Sequence, residues 1–349
     1  MHSMGAKCVF ASEWDKYARI SYEENYKNIE PSLFKKDKEG NYLYFNEDIN
    51  DAIPSKIPDF DICCGGFPCQ PFSVAGLKLG FNDTRGTLFF NIANIVKEKI
   101  DAGAPPKVLF LENVRGLKNH DKGKTLKVIL ATLEELGYGC SYEVLNAKFF
   151  GVPQNRERLF IIAWYKKLVD IESFRFPYGI APDGSIIYDK DKLKEGTLPT
   201  HVSEVFEPSE ITLPFTITDK MWEGHQARKE RNRQNGKGFG YSLYQPDSPY
   251  TSTISARYWK DGSEILIDQS DKGLNPRTLT PVEAGRLQGY RIIGNGWEHP
   301  ENANNQNYNS SNPEFRIVVS KKEAYHQFGN SVAVPVIKSL SKEIFKQLL

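Results

Sequence analysis

Through residues 1–164, short continuous apolar runs alternate with stretches whose apolar positions recur every three or four residues. Lys7-Cys8-Val9-Phe10-Ala11-Ser12 reads as a short buried strand, followed by a helix over 17–26. Phe60-Asp61-Ile62-Cys63-Cys64 is a second apolar run, stopped by Gly65-Gly66. Leu88, Phe89, Ile92, Ile95, Val96 and Ile100 fall on one helical face. Pro105-Pro106 end that helix, and Val108-Leu109-Phe110-Leu111 forms a third buried strand. A helix over 126–136 and strands near 142–146 and 159–164 follow. Apolar strands alternating with helices predict an α/β fold built on a doubly wound, mostly parallel sheet.

Beyond Trp164 the alternation stops. Residues 165–275 are rich in turns, Pro, Gly and polar aromatics, with no repeating helical period, and read as a smaller irregular domain. Residues 276–319 read as a hinge helix and an Asn-rich loop. The helix opens on Thr280-Pro281-Val282-Glu283, a capping box with Pro at its first position. Asn302–Asn312 reads as a solvated loop. Residues 320–349, with a helix capped by Ser320 and a last amphipathic helix from about Pro335, return to the first domain.

Composition narrows the class only a little. Charged residues at 26% and apolar residues at 40% are ordinary for a soluble protein, and a net charge of +1 does not announce a polyanionic partner. No run approaches the roughly 18 apolar residues a membrane span needs, and no secretory signal opens the chain, so a cytoplasmic protein is expected. The five cysteines (Cys8, Cys63, Cys64, Cys69 and Cys140) are odd in number and make no disulfide framework. No histidine stands at ligand spacing beside them, and no metal is expected.

Three segments carry chemistry. Gly65-Gly66-Phe67-Pro68-Cys69-Gln70-Pro71-Phe72-Ser73 leaves a strand's end, where open α/β sheets place their ligands. A cysteine there is either a structural thiol beside a turn or a nucleophile under a glycine-punctuated flap. Glu112, after four apolar residues, needs a hydrogen-bond partner, or else is a helix cap or loop acid. Arg156 and Arg158 alternate ahead of a strand, facing one anion or making a salt-bridged strand edge.

Taken in order, Glu13-Trp14-Asp15, Gly66 to Gln70, Asp83 to Leu88, Glu112-Asn113-Val114, Gln154 to Arg158, Arg277 to Gly289 and Gln327 to Val332 resemble the motifs of the bacterial DNA cytosine-5 methyltransferases of restriction–modification systems. The resemblance covers about residues 5–164 and 250–345. It implies an S-adenosylmethionine-dependent, Rossmann-like fold, with a target-recognition domain over 165–275.

The resemblance further implies that Cys69 attacks C6 of a flipped-out cytosine, making C5 able to accept the methyl group of S-adenosyl-L-methionine. Glu112 would hold or protonate N3, and Arg158 with Arg156 would anchor the base near O2 and orient Glu112. Glu13 would bind the ribose, Trp14 stack on adenine, Asp48 and Ile49 meet its edge, and Pro68, Leu88, Asn330 and Val332 line the cofactor. Gln70 and Ser73, with Thr253 and Ser255, would meet double-stranded DNA. Arg228, Lys229, Arg231, Arg233 and Lys237 form a charge run that is either a solvated face or a phosphate-contacting surface, and Arg257 is a further DNA-contacting candidate. Gly238 to Tyr241 with Ala256 to Gly262 resemble recognition segments for short sites such as CCGG, CCWGG or GGNCC. The implied protein is a monomer, beside a restriction endonuclease that shares its site without direct contact.

Two departures stand against that pattern. Ala75 replaces a polar residue of some relatives' flipping loops. The family's opening strand and Phe-x-Gly-x-Gly-Gly loop are absent, and Met1 to Gly5 read as the end of the helix after it, so a central strand should be missing. A start codon set too late is the favoured reading, over a degenerate gene or a segment supplied by another chain. The alternative function is a sequence-specific DNA-binding relative impaired in catalysis. An RNA substrate and a nicotinamide dehydrogenase are weaker readings, the latter for want of Gly-x-Gly-x-x-Gly.

Overall fold

A computed structural model describes residues 1–68, 88–169, 174–238, 240–292 and 315–348. Cys69, Gln70, Ser73, Ala75, Phe239 and the Asn302–Asn312 loop lie outside the described residues.

The central sheet has the order β3-β4-β6-β5, comprising β3 (Ile62–Gly66), β4 (Val108–Val114), β5 (Tyr138–Asn146) and β6 (Glu157–Tyr165). β3 and β4 run parallel, whereas β6 runs antiparallel to both β4 and β5. The α/β class is as expected, but the far side of the sheet is an antiparallel pair. An apolar run reports burial, not strand direction.

Helices cover both faces. α2 (Leu88–Asp101) and α3 (Lys124–Glu135) enclose one core with Phe89, Val96, Leu109, Leu111, Ile129, Leu133 and Ile161. The terminal helix Val334–Leu348 closes the other, packing Val336, Leu340 and Ile344 on Phe110, Phe160, Ile162 and Trp164. Each fully buried side chain of this kind contributes roughly 1.5–3 kcal/mol, so the site is carried on a rigid frame.

The expected strand over 7–12 shrinks to β1 (Ala11–Ser12), half-buried and paired in parallel with β2 (Phe45–Asn46). α1 (Lys16–Tyr26) follows, capped by Asp15. Among the described residues no ladder joins β1 to β3, and β3 is half-buried to exposed beside the buried β4.

Within 165–275 the structure corrects one expectation, since a sixteen-residue helix spans Asp219–Gln234. Thr218 caps it, but only His225 along it is buried. With no apolar stripe it leaves no periodic signal. A third core joins Val202, Ile254, Tyr258, Ile265, Ile267 and Leu279 to Leu287, Tyr325 and Phe328 of the helices Pro281–Leu287 and Lys321–Asn330.

The predicted capping box at Thr280 and Glu283 is present, and Glu283 also pairs with Arg277 through two bonds of 2.7 and 2.9 Å. The two side chains are 5% and 0% exposed. Removing one partner strands a buried charge, so Arg277→Met should cost about 3–5 kcal/mol. Urea unfolding measures this, and a loss under about 1 kcal/mol would be at odds with the pairing.

Candidate active site

Three chain segments converge where β3 and β4 end and β6 begins. Gly66 lies opposite Glu112 in the parallel ladder. Glu112 faces Phe160 and Val114 faces Arg158 in the antiparallel one, placing Glu112 and Arg158 diagonally on one face. Arg158 Nε stands 3.1 Å from Glu112 Oε1, with both side chains mostly shielded from solvent. Arg158 also donates from Nη1 to the Glu157 carbonyl at 2.8 Å.

Gly66 has no side chain to hold this carboxylate off, and an added Cβ would lie 3.4 Å from Glu112 Oε2. Asn113, buried, donates from Nδ2 to the Phe67 carbonyl at 2.6 Å. The chain entering Cys69 is therefore fastened, two residues earlier, to the strand that carries Glu112. Asn113 belongs to the Glu-Asn-Val motif, yet only the cross-strand geometry shows what its amide does.

Burial lifts the Glu112 carboxyl above its ordinary value, against the pull of Arg158 and then Arg156. Burial lowers the Arg158 guanidinium, which Glu112 opposes. Such a carboxyl beside a fixed cation holds a proton more readily than a solvated one, and can donate it to a ring nitrogen.

Arg156 does not share this partner. Its guanidinium is 1% exposed and donates to the carbonyls of Ile254, Gly329 and Ser331. The expectation that both arginines face one anion is corrected here. Arg156 precedes β6, where the chain is not yet a pleated strand, so alternation does not set its direction.

Of the residues expected at the cofactor, Glu13 and Trp14 follow β1 and Asp48 and Ile49 follow β2, while Leu88, Asn330, Val332 and Pro68 lie elsewhere in the fold. Glu13 is exposed and its amide donates to the Asn46 carbonyl at 3.1 Å. Trp14, 76% exposed, follows it. Asp48 caps the short turn that begins at Ile49, and Asn50 of that turn accepts from Asn91 of α2 at 2.9 Å. Leu88 opens α2, and Asn330 ends its helix with Nδ2 3.3 Å from His326 Nε2. Val332 packs half-buried on the sheet. Pro68 is exposed ahead of Cys69. A bare indole beside a carboxylate fits an aromatic base and a diol, so these residues suit an adenosine.

Among the residues expected at DNA, Thr253 donates to the Asn155 carbonyl at 2.7 Å and Ser255 to Glu264 at 2.6 Å. Arg257 is exposed. Arg228 is tied to Asp261 at 2.8 Å and Arg233 to Glu230 by two bonds, while Lys229 sits 4.1 Å over the Tyr241 ring. Arg231 and Lys237 are exposed. Arg228 thus anchors the helix to the 256–261 turn, while Arg231 and Lys237 present charge outward.

Among the described residues, no helix is long and apolar enough to cross a membrane, and no His/Cys/Asp/Glu group is placed to hold a metal.

Residues 1–346 match the family model for C-5 cytosine-specific DNA methylases. The chain is 46% identical over 341 residues to the type II methyltransferase M.SsoII of Shigella sonnei, spanning 97% of this chain and 74% of that one. It is 45% identical to M.NlaX of Neisseria lactamica, spanning 97% and 88%. In fold it is similar to the S. pombe Dnmt2 methyltransferase, with a TM-score of 0.65 at 18% identity, over 99% of this chain and 95% of that one.

Proposed function

Because the chain belongs to the C-5 cytosine-specific DNA methylase family, we propose that it methylates C5 of a flipped-out cytosine at a short site in double-stranded DNA, using S-adenosyl-L-methionine. The observation that carries the reading is the Glu112–Arg158 pair, with the chain into Cys69 fastened to Asn113 beside it.

The Cys69 thiolate adds at C6, forming an S–C6 bond and pushing an electron pair through the ring toward N3 and O2. Glu112 meets that pair at N3 with its proton, while Arg158 holds the carboxyl and the O2 side. C5 is then enamine-like. When bound, the cofactor supplies an electrophilic methyl group. Loss of the C5 proton to a base then breaks the S–C6 bond and returns the thiolate, and the N3 proton goes back to Glu112, leaving neutral 5-methylcytosine.

Glu13, Trp14, Asp48, Ile49, Pro68, Leu88, Asn330 and Val332 are the residues assigned to hold the cofactor. Thr253, Ser255, Arg231, Lys237 and Arg257 are assigned to the DNA backbone, whose binding weakens as salt rises. The protein is read as a cytoplasmic monomer whose site a restriction endonuclease shares. The separation of β1–β2 from β3 favours one second reading, a DNA-binding relative that does not transfer methyl groups. Calorimetry with S-adenosylhomocysteine separates the two.

Bisulfite sequencing of a plasmid from cells expressing the protein tests the proposal. It predicts protected cytosines confined to one short motif, and unprotected DNA would refute it.

A pH dependence follows from Glu112. Its carboxyl is held above its ordinary value, so its proton is retained at low pH and lost as pH rises through the folded value. The rate of methyl transfer should therefore fall on that alkaline side, and Glu112→Gln should remove this limb from the residual activity. Single-turnover rates across pH read it, and an unchanged limb in the Gln variant would assign the titration elsewhere.

A further inference from the structure

Arg156 is deeply buried, yet among the described residues no carboxylate forms an ion pair with it. Burial pulls its pKa down to about 9, with Arg158 next, so it stays a cation at neutral pH. Its guanidinium instead collects main-chain oxygens from separate parts of the chain, with Nη1 3.2 Å from Ile254 O, and Nη2 2.9 Å from Gly329 O and bonded to Ser331 O. Gln154, 0% exposed, works beside it, donating to Leu287 O and accepting from Ile254 N, both at 3.0 Å. Ile254 is therefore gripped at its N–H and its carbonyl by two side chains from one three-residue stretch. Thr253 is bonded to Asn155 in the same stretch.

The opposite side of the junction is as tight. A Cβ on Gly329 would meet Ala256 N and Ser255 C at 2.3 Å, so helix Lys321–Asn330 lies directly on the backbone of the 255–256 segment. Gln288 Nε2 donates to Phe328 O at 2.8 Å, and Val334 N to Gln288 O at 2.9 Å. If any one of the three carbonyls moves, a charged donor is left unsatisfied in a dry site. The segments therefore shift together or not at all.

We propose that Arg156, with Gln154, is a positioning residue that ties the Thr253 segment to the Asn330–Val332 loop, so that DNA and the S-adenosyl ligand each tighten the other. This rests on the functional reading above, which assigns those two segments to the two ligands. Coupling between two sites is reciprocal, so it can be read from either ligand. The physical basis is a shared, bonded element that both ligands bias.

The test is fluorescence anisotropy of a labelled duplex bearing the bisulfite-mapped site, with and without S-adenosylhomocysteine. The readout is the ratio of the two dissociation constants. The protein should show a ratio well above one. Arg156→Met should lower it fivefold or more toward one, and Arg156→Lys should fall between. Gly329→Ala, which forces Ser255–Ala256 away without altering the Arg156 side chain itself, should lower it too. General loosening of the fold weakens both constants and leaves their ratio, so an unchanged ratio in these variants overturns the proposal. Should Arg156→Met not fold, Arg156→Lys and Gly329→Ala decide on the same criterion. A protein that binds neither ligand would instead overturn the functional reading.

Discussion

Cys69→Ser should lower methyl transfer by on the order of 10,000-fold or more, with site-specific DNA binding retained. A hydroxyl has almost no anionic form at neutral pH, whereas an unperturbed thiol of pKa near 8.5 already has a few per cent. Without sulfur addition at C6, C5 never becomes enamine-like, so no slower parallel route is available to the ring. Single-turnover transfer of a radiolabelled methyl group, with anisotropy on the same duplex, separates chemistry from binding. Serine retaining more than about a hundredth of the rate would remove the sulfur from the mechanism.

Glu112→Gln should cost on the order of 100- to 1,000-fold, within the range of a lost proton donor. The amide fills the same volume and still donates a hydrogen bond to N3, but it cannot transfer a proton there. Arg158→Met should cost a similar factor, because it strips Glu112 of the partner 3.1 Å away. The two losses should not add. Groups that act as a unit lose most of their effect when either is removed, so the double variant should sit near the worse single one. Full additivity would mean that Arg158 and Glu112 act on separate steps.

The sheet's central strands were legible because burial on both faces leaves no polar position in Val108–Leu111, and α2 and α3 because one apolar stripe repeats along each. Direction was not legible. β5 and β6 carry the same apolar signature whether parallel or antiparallel, and only their pairing with each other and with β4 settles it. Helix Asp219–Gln234 escaped because its register offers no buried stripe, although Thr218 before Asp219 is a cap signal at its start.

At the site, motif order pointed to Glu112 and Arg158 together, and the ladder brings them together. The same order grouped Arg156 with them, and there it failed. Where a guanidinium points depends on backbone that is irregular at that residue and on carbonyls about a hundred and more positions away in sequence. No local pattern encodes such partners. The carbonyl grip on Arg156, the Asn113 amide on Phe67 and the Gly329 contact on Ser255 are all of this kind.

The most direct measurement uses duplex DNA with 5-fluorocytosine at the mapped target, incubated with the protein and S-adenosylmethionine. Fluorine cannot leave C5 as a cation, so the ring stays bonded to sulfur once C5 is methylated. Mass spectrometry of the denatured, digested mixture should find the modified nucleotide on the peptide containing Cys69, and none with Cys69→Ser. Normal methylation of ordinary cytosine with no adduct on that peptide would contradict the account.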